Sequence, residues 1–280
     1  MIQVVTDSNC DLPAELVTRY GITVIPMYIN VGKKSYLDGV DMTHEQFYEG
    51  LPGFDHHPTT SVPGPGQLVR EYERLADAGA TGIVSIHIGS GLSAMVGVAR
   101  LAAEETQKVP VTVFDSGQLT LGTGLLALTA ARAAAEGQSI NDIVALLEDQ
   151  ASRTHTVAAL DTLEYLRRSG RLSRFQFSLG SALQIKPVLK MHSGDFEMER
   201  VRTRNGASSR VIELLTELAP FETLALVHTH APEKAGNLHQ QAAHLFPDED
   251  PMYAEVTPVI GTHIGPGASG FVAIQARKQA

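Results

Sequence analysis

Cysteine is nearly absent from this chain. Cys10 stands alone among 280 residues, so neither an intrachain disulfide nor a thiolate metal cluster can form. Positive charge is also short. Lysine and arginine total 22 against 31 acidic residues, a net charge of −9 with a pI near 5.6. That balance argues against nucleic acid or an anionic membrane as the main partner. No apolar run approaches the ~20 residues of a spanning helix, so no membrane insertion is expected. The opening Met-Ile-Gln-Val-Val-Thr-Asp reads as a strand and carries no signal-peptide pattern. A cytoplasmic protein is the expectation. The chain has no fixed-period repeat, no G-x-S-x-G nucleophile elbow and no G-x-x-x-x-G-K phosphate loop. Nothing here demands an enzyme.

What is present is ordinary globular material, 43% hydrophobic and 19% charged, long enough for a large core and two domains. The stretch around which the rest is organised is Gly82-Ile-Val-Ser-Ile-His-Ile-Gly-Ser-Gly-Leu-Ser-Ala-Met95. Its first half reads as a buried parallel strand, and a helix follows Ser93. Ser93 therefore lies at or near an N-cap. Unpaired backbone N–H groups and the positive end of the helix dipole favour an anion there. A plain capping serine is the local alternative.

Strand and helix alternate from Ile2 to about Ala151. Expected strands are Ile2 to Thr6, Ile22 to Asn30, Gly82 to Ile88 and Val111 to Phe114. Thr43-His-Glu-Gln46 is a capping box. Thr59-Thr-Ser-Val-Pro-Gly-Pro65 reads as a stiffened loop with clustered hydroxyls. The helix from Leu119 to Ala135 is apolar throughout. Beyond Ser152 the pattern turns to hairpins mixed with helices. Ile185 to Met191 and Phe196 to Arg202 pair around His192-Ser-Gly-Asp195, and Val259-Ile260 reads as a short strand. The fold expected is α/β with two domains. Residues 1–152 form a parallel-sheet α/β domain. Residues 153–280 form an α+β domain with a mainly antiparallel sheet, and elements can cross between the two.

Two other chemistries compete. Gly89-Ser-Gly-Leu-Ser-Ala94 matches the G-x-G-x-x-A pattern between strand and helix, with Asp115 ending the next strand. This is the layout of a nucleotide-binding α/β oxidoreductase, the alternative reading. Gly122-Thr-Gly-Leu-Leu-Ala127 matches equally well without that context, so the pattern is weak. His228 and His230 alternate along an expected strand, and His263 would complete a three-histidine set. No acidic partner pattern supports a metal there, so none is expected.

Taken in order, several short segments resemble the DegV family of bacterial fatty-acid-binding proteins. They are Thr6-Asp-Ser8 with Asp11-Leu-Pro13, Tyr36-Leu-Asp-Gly-Val-Asp41, Thr60-Ser-Val-Pro63 and Leu92-Ser93. Asp115-Ser116, Ser169-Gly-Arg-Leu-Ser173, Ile185-Lys-Pro187 and Gly261-Thr-His-Ile-Gly-Pro-Gly-Ala268 continue the series. The resemblance implies a long-chain fatty acid buried between two domains, its carboxylate meeting hydroxyls. Those map onto Thr60 and Ser93, with Ser61 and His263 close candidates. It also implies a carrier rather than a catalyst, one that needs no cofactor and presents its acid to a separate fatty acid kinase for acyl-phosphate formation. Such a protein serves phospholipid synthesis. Lys190, Arg200, Arg202, Arg204 and Arg210 gather basic charge, and 200, 202 and 204 would share one strand face. The resemblance makes Arg202 the first choice for kinase docking. Ala94-Met95 stand where the family commonly has Gly-Thr, which removes a hydroxyl expected near the head group. Val62 and Gly64 also depart from the common residues.

Overall fold

A computed structural model describes residues 1–172, 185–247 and 250–277. Ser173, the end of one family-like segment, lies outside them. The first sheet is wholly parallel, in the order β2-β1-β6-β7. Its strands are β1 (Ile2–Asp7), β2 (Thr23–Ile25), β6 (Gly82–His87) and β7 (Val111–Asp115). Every residue of β6 is buried, as expected of a strand covered on both faces. Val84 and Ile86 face the helix α5 (Leu121–Ala135). Ile83 joins α3 (Pro65–Asp77) and α4 (Met95–Glu105) on the other side.

The second sheet has the order β10-β9-β8-β13-β11-β12. It comprises β8 (Thr154–Ala159), β9 (Lys186–His192), β10 (Asp195–Val201), β11 (Phe221–His228), β12 (Tyr253–Glu255) and β13 (Ser269–Gln275). All its pairs are antiparallel except β11 with β12. Ser193 and Gly194 both have positive φ, 49° and 84°, in the two-residue turn between β9 and β10. A type I′ hairpin needs that geometry, which matches the twist of the strands. On one face, Leu224, Leu226 and Phe271 pack with α8 (Arg204–Leu218) and α9 (Pro232–Ala242). On the other, Val227, Val272 and Ile274 join the cluster that holds α5. Helix α5 is therefore a layer shared by both sheets, which is why it is apolar on nearly every side, with Arg132 its one exposed charge. Gly124 lets it approach the turn after β1: a Cβ there would lie 2.2 Å from the Cys10 carbonyl oxygen.

A small third sheet, β4-β3-β5, joins β3 (Tyr28–Val31), β4 (Lys34–Leu37) and β5 (Thr59–Ser61). The remaining helices are α1 (Ala14–Tyr20), α2 (His44–Gly50), α6 (Ile140–Arg153), α7 (Glu164–Arg168) and α10 (Pro258–Ile264). Among the described residues, no helix is long and apolar enough to cross a membrane.

Four expectations are corrected. The single strand at 22–30 is two, in different sheets. Pro26 breaks it because proline offers no N–H to a ladder. The loop at Thr59 is the edge strand β5, pairing with β3. Val259 and Ile260 are helical, in α10, where Pro258 occupies the first turn and Thr257 caps it. Arg200, Arg202 and Arg204 share no strand face, because β10 stops at Val201 and Arg204 opens α8. The β-branched pair at 259–260 and the alternating arginines suggested strands. In both cases a helix cap overrode the local pattern.

Candidate functional site

The site begins with a latch that fixes α10. Thr257 N donates to Asp11 Oδ1 at 2.9 Å, and Thr120 Oγ1 donates to Asp11 Oδ2 at 2.5 Å. The Thr257 hydroxyl bonds Asp38 Oδ2. Tyr48 Oη donates to the Val256 carbonyl at 2.7 Å while its ring stacks on His230. Burial pushes the Asp11 carboxyl well above the usual carboxylate range, and raises Asp38 as well. These contacts give the D-L-P and Y-x-D-G-x-D segments a physical role. Both aspartates cross from the first half of the chain to hold the start of α10.

Helix α10 then projects three residues that matter. Ile260 and Ile264 line a narrow cleft together with Leu119, Leu189, Met191 and Phe196. The cleft holds about 510 Å³ of space between atoms, of which only about 50 Å³ is wide enough for the centre of a water. His263 stands beside them at the end of α10, with its Nε2 3.0 Å from Thr60 Oγ1. Both are half-buried. Thr60 reaches His263 because β5 pairs it with Ile29. Its neighbour Ser61 is exposed and accepts from Asn30 Nδ2 at 3.2 Å.

Ser93 lies one residue before the Ala94 N-cap of α4, and its Oγ accepts from Met95 N at 3.2 Å. Leu92 beside Ser93 and Val62 beside Ser61 pack on one cluster with Tyr165 and Val259. The loop carrying Ser93 is braced from below. Asp7 Oδ2 accepts from Ile88 N at 3.1 Å and is 2.9 Å from His87 Nδ1. His87 Nε2 is 2.8 Å from Ser85 Oγ, which meets Tyr72 Oη at 2.8 Å. This Asp-His-Ser-Tyr chain has the order of a catalytic relay, but all four residues are fully buried. It supports the loop. Met95 is fully buried in the core.

His57 is the residue whose position sequence reasoning missed. Its ring is 5.9 Å from that of Tyr165. Burial, then the Arg168 charge, holds its pKa below the ordinary histidine value. The other histidines separate. Strand β11 ends at His228, whose Nδ1 accepts from Ala231 N at 3.3 Å. His230 turns away, with φ of 49°, to Glu255. No group of metal-ligating side chains gathers among the described residues.

The glycine-rich turn at Gly89 is poorly suited to a dinucleotide. Asp115 Oδ1 accepts from Ser90 N at 3.1 Å and from Gly117 N at 3.0 Å, so its carboxylate braces the loop instead of facing a ribose. The cavity beside it is lined by Asp115, Glu148 and Asp195, whose charges would repel a pyrophosphate. Of the other basic residues, Lys190 pairs with Glu197 and Glu199, while Arg210 pairs with Glu199, Glu213 and Glu217. Arg202 is exposed just past β10 and makes no ion pair with the described residues.

A parallel α/β half, a mainly antiparallel half and a small third sheet make a mixed α/β fold with an apolar cleft under α10. The chain belongs to the DegV family: the family model, described as "Uncharacterised protein, DegV family", matches residues 1–276. A DegV domain-containing protein of Streptomyces coelicolor is 36% identical over 277 residues, covering 97% of each chain. Protein DegV of Bacillus subtilis is 34% identical over 276 residues, covering 96% of this chain and 98% of its own. The solved structure of Bacillus subtilis DegV, described as a fatty acid binding protein, superposes with a TM-score of 0.89 at 32% identity. It covers 98% of this chain and 99% of the other. A Thermus thermophilus DegV family protein, described by its fatty acid binding, gives 0.87 at 33% identity with the same coverage.

Proposed function

We propose that this chain binds a long-chain fatty acid, with the tail in the cleft beneath α10 and the carboxylate at the Thr60–His263 pair. Ser93 assists from the start of α4. The observation that carries the reading is the placement of that pair beside Ile264. Ile264 lines a slot whose walls are almost entirely apolar, and His263, the residue before it, meets the Thr60 hydroxyl at 3.0 Å. A carboxylate there receives charge-assisted hydrogen bonds, and the tail replaces weakly held space with dispersion contacts. The fatty acid binding described for the Bacillus and Thermus relatives supports the same reading. Thr60→Val keeps the shape of the side chain and removes the donor. It should weaken palmitate binding by about 1–3 kcal/mol in a titration while leaving the melting temperature of the lipid-free protein nearly unchanged. Unaltered affinity in Thr60→Val and in Ser93→Ala would remove the head group from this site.

The proposal extends to a partner. An acid held by its enclosed tail offers only its carboxylate end to a second protein. We assign the chain the role of a carrier that presents this end to a fatty acid kinase, with Arg202 in the docking surface. Its exposure, with no ion partner among the described residues, supports that role. Arg202→Ala should slow phosphorylation of the bound acid by a cognate kinase and leave palmitate affinity intact. Equal loss of both would place Arg202 in the fold instead.

A further inference from the structure

A second cavity lies on the other side of Leu160 and Ser269, which line both it and the apolar cleft. It is polar and roomy, with about 490 Å³ open to water. Its ionisable lining residues are Lys186, Arg204, Lys234 and Asp161. All three cations turn to the one carboxylate. Lys234 Nζ is 2.8 Å from Asp161 Oδ2, Lys186 Nζ is 3.7 Å from Oδ1, and Arg204 Nε is 3.5 Å from Oδ1. The protein as a whole is acidic, which makes this concentration of cations unusual in its setting.

We infer that this cavity binds a phosphate-type dianion, held by Lys186, Arg204 and Lys234. Three positive groups around one negative group leave two charges of mutual repulsion uncompensated, and a dianion cancels both. Lys186 and Lys234 are partly buried and anchored by backbone carbonyls, those of Asp161 and Gly267. Their ammonium groups are therefore held in place before a ligand arrives. Arg204 is the exposed member, with its side chain 69% open to solvent. Among the described residues its terminal N–H groups have no partner, and a guanidinium presents them as a fork that fits two phosphate oxygens. Asn205 and Asn237 supply neutral amide groups in the same lining. The first turn of α8, a 15-residue helix, opens here and adds the positive end of its dipole. A simple structural ion pair would need one cation, not three.

The phosphoryl group has two sources, a free phosphate or the head of a phosphorylated lipid whose tail occupies the adjoining cleft. The test is calorimetric titration of the full chain with inorganic phosphate at matched ionic strength. Saturable one-to-one binding is expected, weakened about tenfold in Arg204→Ala, the change expected when one charge-assisted contact is lost. Lys234→Ala should weaken it at least as much. Thr60→Val should leave it unchanged, which separates this site from the proposed fatty-acid head-group site. Asp161→Asn should tighten it by removing the competing carboxylate. No saturable binding to the parent protein overturns the inference, as does equal binding by the parent and Arg204→Ala, whose exposed side chain can be removed without disturbing the fold. A second titration separates the sources. Phosphate binding that persists in palmitate-loaded protein points to a free ligand. Hexadecyl phosphate that displaces palmitate from the parent, but not from Arg204→Ala, points to a lipid head group.

Discussion

Adding palmitate to lipid-free protein should raise its melting temperature, and shortening the acid should erase most of that rise. The cleft walls beneath α10 are Ile260, Ile264, Leu119, Leu189, Met191 and Phe196, so the tail meets carbon along its length. Each buried methylene contributes about 0.8 kcal/mol. Palmitate carries six more than decanoate, roughly 5 kcal/mol before ordering costs, which corresponds to about three orders of magnitude in Kd. A ligand that binds only the folded state stabilises it in proportion to the logarithm of its saturation. Differential scanning fluorimetry over a series of even-chain acids therefore reads the tail directly. A thermal shift independent of chain length would mean that the tail lies in solvent, and the cleft would lose its assignment.

Gly261→Ala should be strongly destabilising. A Cβ at this position would sit 2.3 Å from Tyr48 Oη and 2.7 Å from its Cζ. Tyr48 cannot yield easily, because it is fully enclosed, donates to the Val256 carbonyl and stacks on His230. Helix α10 must shift instead, and with it Ile260, His263 and Ile264. Overpacking of this kind costs about 1–3 kcal/mol, read as a lowered urea midpoint. Palmitate affinity should fall in the same variant, because Thr60 and His263 no longer meet. Gly261→Ala with Tyr48→Phe should recover part of the stability, since the nearest clashing atom is gone and contacting residues couple. An additive double mutant would show that the two do not press on each other.

Local chemistry was enough to read most of the elements. The capping box at Thr43, the Ser193-Gly194 turn and the all-buried β6 were legible because each depends on residues close in sequence. The largely apolar α5 was legible as a buried helix. The likeness of short segments in order identified the family and brought Thr60, Ser93 and His263 forward together. Tertiary structure alone decided how they are arranged. Thr60 faces His263 across 203 positions of chain because β5 adds to the edge of β3 and because Asp11 and Asp38 clamp Thr257. Neither cause has a local signature. The helical fate of Val259-Ile260 was hidden for the same reason: β-branched residues favour strands until a cap and a packed partner outweigh that preference. The cations at 186, 204 and 234 are scattered through the sequence, and only the meeting of β8, β9, α8 and α9 gathers them on Asp161. The sequence by itself determined most of the strands and helices and the family they compose. Where a hydroxyl, an imidazole or three ammonium and guanidinium groups converge was decided by long-range packing. Such convergence depends on contacts between distant segments, whose energies exceed any local preference.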